Sequence, residues 1–168
     1  AYVSMRLAEA MGCTEPEVFD MASCAVLHDN ALTNYMLEKG GESDIARLES
    51  LEVHCELGEG NAADFPFLGD VKGVILHHHE NWNGTGYQKR AGADIPLRAA
   101  SLRGADNRDL RLRMGDGRPT LDGEIREHAR KFEGTLYSPA VVEALEDILD
   151  KDFIHNMADE SLDHVLGY

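Results

Sequence analysis

An all-α helical bundle is the architecture expected of this chain. Apolar residues recur at spacings of three and four along most of its length, and helix start and stop signals separate those stretches. No β-alternation is sustained anywhere. A first helix runs to about Met11 and ends at Gly12. Thr14-Glu15-Pro16-Glu17 reads as a capping box, with proline tolerated in the first turn. The helix that follows carries Val18, Met21, Ala22, Ala25 and Leu32 on one stripe, and Gly40-Gly41 stops it. Ser43 caps the next, with Ile45, Leu48 and Leu51 inward. Asp70 starts another, with Val71, Val74 and Ile75 inward.

From Glu80 to Ala93 the chain reads as a polar, glycine-containing loop. Helical periodicity returns at Ile95, Ala99 and Leu102. Gly115-Asp116-Gly117-Arg118-Pro119 is a turn, and a helix from about Leu121 to Lys131 follows. Ser138-Pro139 opens one with Val141, Val142, Leu145, Ile148 and Leu149 inward. A last amphipathic stretch surrounds Leu162 and Val165. Residues 1–168 read as a single domain, without repeats, low complexity or an interdomain linker.

Composition narrows the function classes. Hydrophobic residues make up 43% and charged residues 28%, an ordinary soluble globular balance. No apolar run approaches the roughly 20 residues needed to span a bilayer. The first residues, Ala1 to Arg6, read as amphipathic helix rather than a secretory signal. Cys13, Cys24 and Cys55 show no CxxC spacing, and an odd count without a framework predicts a reducing cytoplasm. A net charge of −15 argues against duplex nucleic acid or an anionic membrane as partner. The charge is uneven, however. Eight of the 16 basic residues fall between Lys89 and Arg118, with only Asp94, Asp106, Asp109 and Asp116 as acids among them. That segment is either a site for a phosphate-bearing ligand or a solvated helix face.

The chemistry emerges from polar residues on apolar stripes. His28 follows Met21 and Ala25 at helical spacing, and Asp29 follows Ala22 and Ala25. His54 lies three beyond Leu51. His78 sits on the Val71-Val74-Ile75 face with His79 beside it, and Asp106 continues the series Ile95, Ala99, Leu102. A buried carboxylate without a partner costs several kcal/mol. A metal is such a partner, and imidazole with carboxylate suits iron, manganese, zinc or nickel. Two divalent ions need about this ligand count, with one aspartate bridging. Each residue also has a plainer explanation. His54 alone is a packing histidine, Asp29 alone a cap or arginine partner, and Asp106 alone a partner of Arg103. It is their coincidence that favours metal. His77 is expected to face away, and His128, His155 and His164 to lie at the surface without partners.

These residues also carry a resemblance. Leu27-His28-Asp29 resembles the signature of the HD superfamily of metal-dependent phosphohydrolases. His78-His79-Glu80-Asn81-Trp82-Asn83-Gly84-Thr85-Gly86-Tyr87 resembles the HHExxDGxGYP segment of its HD-GYP subgroup. His54-Cys55-Glu56-Leu57-Gly58 is similar to an HPEIG-like segment. The run from Ile95 to Asp106 is similar to I-P-L-x-A-R-I-x-x-x-A-D, and Gly134-Thr135-Leu136-Tyr137-Ser138-Pro139 to G-T-x-F-D-P. The order and spacing agree over about Leu7 to Leu149.

The resemblance implies the helical bundle of the HD superfamily, with two or more metals, iron or manganese as a rule. It implies a phosphodiesterase of bacterial signalling whose substrate is a cyclic dinucleotide, cyclic di-GMP above all, attacked by a metal-bridging hydroxide. Asp29 would bridge the metals, and His28, with Asp29, would stand at the catalytic step. His28 and Asp106 would complete one site, and His54, His78 and His79 would hold the other. Gly84, Thr85, Gly86 and Tyr87 would border the substrate, with Lys89, Arg90, Arg111 and Arg113 meeting its phosphates or guanines.

The sequence departs from the pattern at several positions. Leu32 stands where the family has a lysine, Asn83 where it has aspartate, and Gln88 where it has the proline of GYP. No R-P-Y segment follows Asp109, where Arg111, Arg113 or Arg118 is the candidate substitute. An upstream ligand would fall before Ala1, so either one metal site is incomplete or, as is expected here, the domain is part of a longer protein. The alternative function is an impaired domain that binds nucleotide or a signalling protein partner without turnover, and the resemblance implies that a sensory domain can be fused upstream. Another nucleotide as substrate and a purely structural bundle are weaker readings.

Overall fold

A computed structural model describes residues 1–32, 53–114 and 121–149, with side chains throughout except at 108–114 and 121. Among the described residues there are six α-helices: α1 (Tyr2–Ala10), α2 (Glu15–Leu27), α3 (Val53–Asn61), α4 (Leu97–Met114), α5 (Leu121–Lys131) and α6 (Pro139–Ile148). A 3-10 turn at Gly92–Asp94 precedes α4. The only pairing of extended backbone among these residues is an isolated bridge between Glu133 and Tyr137. The all-α expectation holds. The Gly40-Gly41 stop, the Ser43-capped helix, the Gly115 to Pro119 turn and the stretch around Leu162 and Val165 lie outside the described residues, as do His155 and His164. No helix among the described residues is long and apolar enough to cross a membrane.

Local sequence accounts for the helix ends. The Glu17 carboxylate accepts from the Thr14 N–H at 2.9 Å and from the Thr14 hydroxyl at 2.8 Å, the anticipated capping box. These bonds, led by the backbone one, hold the Glu17 carboxyl below its ordinary pKa. Arg98 donates to the other Glu17 oxygen at 2.8 Å and ties α4 to the start of α2. It also donates to the Asp70 carbonyl, so this member of the basic segment serves the fold.

α1 packs against α2, α4 and α6, and α4 touches α2 and α6 in turn. Val3 and Leu7 of α1 meet Ile95, Ala99 and the Val141, Val142, Leu145 and Ile148 stripe of α6 in one core cluster. Ala8, Met21, Cys24, Ala25, Val74, Ile75 and Leu102 form a second. Each fully buried Val, Leu or Ile side chain contributes about 1.5–3 kcal/mol relative to exposure. The second cluster is the one that underlies the polar site.

One predicted helix is absent. Residues 72–79 form successive turns instead of the regular helix expected from Asp70. Gly73 has φ +81°, which a right-handed helix does not admit. The N–H groups of Gly73 and Leu76 donate to the Glu59 carboxylate of α3 rather than to carbonyls one turn earlier. A side chain from a neighbouring helix thus outcompetes the local pattern. Val74 and Ile75 still point inward as expected.

Candidate metal centre

Four segments converge on one cluster. His28 and Asp29 follow α2 directly, His54 lies on α3, His78 and His79 end the 72–79 turns, and Asp106 sits on α4. His54 and His78 are buried, at 1% and 0% exposure. The His78 ring lies 5.2 Å from that of His28, 5.3 Å from His54 and 4.1 Å from His79, centre to centre. The six residues proposed from spacing therefore occupy a single place, although His78 and His79 come from turns and not from a helix.

Asp29 stands at the middle. Its Oδ2 is 3.1 Å from His28 Nε2, while its Oδ1 is 3.8 Å from both His54 Nε2 and His78 Nε2. Asp106 Oδ1 approaches His28 Nε2 from the other side at 3.7 Å. Asp29 is less enclosed than its position on the stripe predicted, with 40% of its side chain exposed. Asp106 does not pair with Arg103. That arginine instead donates to Asn81 Oδ1 at 3.3 Å.

The imidazoles are oriented by backbone. His28 Nδ1 contacts the Ala25 carbonyl at 2.8 Å and His78 Nδ1 the Ile75 carbonyl at 2.6 Å. With Nδ1–H donating in this way, the neutral His78 ring leaves Nε2 as an acceptor pointed into the cluster, and the His28 Nε2 points there too. Both Nε2 atoms are buried without a hydrogen-bond partner. A buried orphan acceptor on His78, and a His28 Nε2 facing two carboxylates, fit a cation. His28, Asp29 and His78 offer ligand atoms within 4.8 Å of one another, and so do His54, Cys55, His78 and His79.

Electrostatics agree with that fit. Burial pushes the His78 imidazole down to about 3, helped by His79 alongside. Burial and the Arg103 charge push His79 down to about 4. Both rings are thus neutral near pH 7, the form that binds metal. His28 goes the other way: burial opposes its charge, but Asp106 and Asp29 raise it to about 10. Burial would raise the carboxyls of Asp29 and Asp106, yet the neighbouring His28 holds both below their ordinary range. The two carboxylates call for positive charge at this point, either a proton on His28 or a metal ion.

The loop beside the cluster is built on Glu80, which sequence reasoning passed over. Its carboxylate is 2% exposed and accepts from the Gln88 N–H and the Arg90 N–H, both at 2.7 Å. Gly86 is required there, because a Cβ would come within 2.6 Å of Glu80 Cα. The fold brings Tyr87 to 5.6 Å from the His79 ring. Asn83, in the place of an aspartate, accepts from the Thr85 N–H at 3.1 Å and its hydroxyl at 2.7 Å, a turn that either residue can close. Gly84 follows at φ +79°. Lys89 and Arg90 are exposed in the same loop, and Arg90 also donates to the Asp94 carbonyl. The side chains of Arg111, Arg113 and Arg118 lie outside the described residues.

Three other expectations need correction or extension. His77 does not face away: it is 5% exposed, packed into the turn segment. His128 is half-buried rather than a partnerless surface residue, with Nε2 3.0 Å from the Tyr137 hydroxyl. Asp20 was missed altogether. Buried at 1% exposure, it accepts from the Leu68 and Gly69 N–H groups at 2.7 and 2.8 Å. Its spacing of four before Cys24 was the available signal.

The family model described as HD domain matches residues 2–106. A 3'3'-cGAMP-specific phosphodiesterase 2 from Vibrio cholerae serotype O1 is 31% identical over 147 residues, covering 83% of this chain and 28% of the relative. A cyclic di-GMP phosphodiesterase from Thermotoga maritima is 32% identical over 153 residues, covering 85% and 41%. The chain thus spans less than half the length of these relatives. A solved structure of a cyclic GMP-AMP-specific phosphodiesterase from V. cholerae, V-cGAP3, superposes with a TM-score of 0.76. It covers 98% of this chain and 46% of that one at 19% identity, a likeness of fold. The chain belongs to the HD domain family.

Proposed function

We propose that this domain hydrolyses a phosphodiester bond of a cyclic dinucleotide, cyclic di-GMP first among them, at a centre of two divalent ions. Asp29 carries the reading: one oxygen faces His28, and the other faces His54 and His78. That is the disposition a bridging carboxylate needs. Iron or manganese suits the nitrogen and oxygen donors, and zinc or nickel is compatible. Bound there, such ions supply Lewis acidity and a more acidic water. In this proposal His28 and Asp106 would hold one ion and His54, His78 and His79 the other, and Asp29 would contribute to both. Gly84, Thr85, Gly86 and Tyr87 border the substrate, whose phosphates meet Lys89 and Arg90 and, further along, Arg111 and Arg113. Arg103 joins them: its Nε is buried without a hydrogen-bond partner, and its charge already acts on His79 and Tyr87. The names of the relatives support a cyclic dinucleotide as the substrate class.

The test is to load the protein with manganese or iron(II) and offer cyclic di-GMP and 3'3'-cGAMP separately. The expected result is a linear dinucleotide or mononucleotide product from at least one, abolished in Asp29→Asn. Both substrates intact after hours would overturn the reading. One observation favours a second reading, binding without turnover: Leu32, at the family's lysine position, is buried at 5% exposure and offers no charge. Measurable affinity for cyclic di-GMP with no product would favour it, and turnover would exclude it. A signalling partner or a fused sensory domain fits either reading, in keeping with relatives much longer than this chain.

A further inference from the structure

One side chain at the centre stands outside the ligand set implied by resemblance. Cys55 follows His54 on α3 and is 1% exposed. It is not in a disulfide. Its Sγ lies 3.5 Å from His54 Nε2. Its sulfur and one ring nitrogen each from His54, His78 and His79 fall within 4.8 Å of one another. His78 adds an independent pointer. Its Nδ1 is occupied by the Ile75 carbonyl, and its fully buried Nε2 has no hydrogen-bond partner. Three imidazoles and a thiol thus lie together beside the Asp29 carboxylate, a donor set of nitrogen, sulfur and oxygen. Borderline ions such as zinc and cobalt(II) prefer such a set, and hard manganese does not.

We propose that Cys55 is a further protein ligand, adding one sulfur to the three nitrogens of the His54-His78-His79 half of the centre and the Asp29 oxygen beside them, at a site for a borderline divalent ion. Coordination occurs through the thiolate, so each ion bound there releases the thiol proton to solvent. The two halves of the centre then differ in kind. The His28-Asp106 half offers nitrogen and oxygen only, and the Cys55 half adds sulfur. The proposal rests on the metal centre argued above, but not on any particular substrate.

The test uses cobalt(II) as a spectroscopic probe on the full chain, freed of metal and then titrated. Wild type should develop ligand-field bands in the visible together with a thiolate-to-cobalt charge-transfer band in the near ultraviolet. In Cys55→Ser the charge-transfer band should be lost while the ligand-field bands remain. Cys24→Ser should retain both, since Cys24 lies in the apolar cluster and outside this group. X-ray absorption on zinc-loaded wild type should show a sulfur shell at about 2.3 Å, missing in Cys55→Ser. Ligand-field bands in wild type without charge transfer, or charge transfer that survives Cys55→Ser, would overturn the proposal. So would a wild-type zinc shell of nitrogen and oxygen only. Those results would leave the centre and its hydrolysis standing. Failure to take up cobalt at all would remove both the cysteine ligand and the metal centre.

Discussion

Glu80 shows how one buried charge can organise a functional loop without entering the chemistry. Its two oxygens occupy the N–H groups of Gln88 and Arg90, and these bonds fold the glycine-rich loop back beside His79. Glu80→Ala would leave both donors unsatisfied, each at a cost of about 1–3 kcal/mol if it stays buried. A urea titration should show a lower midpoint, with Glu80→Gln falling between variant and wild type because its carbonyl still accepts one bond. Sequence reading found His28, Asp29, His54 and Asp106 because each breaks an apolar stripe where a charge or imidazole demands a partner. It missed Asp20 and Glu80, which satisfy distant backbone N–H groups 48 and eight residues away. The spacing of Asp20 from Cys24 marks its burial, but no helical spacing encodes its partners or those of Glu80.

The turns at 72–79 carry His78 and His79, so their geometry sets the site. Periodicity predicted a helix there, and it placed Val74, Ile75 and His78 on the buried side correctly. What it could not show was the Glu59 carboxylate arriving from α3 to take the Gly73 and Leu76 N–H groups. Nor does periodicity register the left-handed backbone at Gly73. The regular helices were more legible: α2 has its capping box, and α6 has its buried face from Val141 to Leu149. Gly73→Ala would hold a Cβ at φ +81°, with the His77 ring 3.1 Å away. The strain is about 1–2 kcal/mol from backbone alone. The expected outcome is a lower melting temperature together with weaker metal retention on dialysis, since the displaced turn carries two of the imidazoles. Unchanged metal retention would mean that the turn does not set the positions of His78 and His79.

For the domain as a whole, the metal is expected to act as a cross-link among α2, α3, α4 and the turns between α3 and α4. A ligand that binds only the folded chain stabilises it by about 2.7 kcal/mol when present at 100 times its Kd. Chelation should therefore lower the melting temperature reversibly, with recovery on adding back manganese, iron(II) or zinc. The helical architecture and the convergence of His28, Asp29, His54, His78, His79 and Asp106 were readable from spacing and motif, because regular helices put residues three and four apart on one face. The half-exposure of Asp29 and the approach of Cys55 to three imidazoles were not, because both depend on how α3 and the turns meet. The measurement to make is elemental analysis of the purified chain beside Asp29→Asn, a near-isosteric change at the carboxylate between the two groups of histidines. Stoichiometric transition metal in wild type, largely lost in a variant that is still helical, is the predicted result. Wild type without metal even after reconstitution, or a variant that holds as much as wild type, would contradict the account of this cluster as a metal centre joined by Asp29.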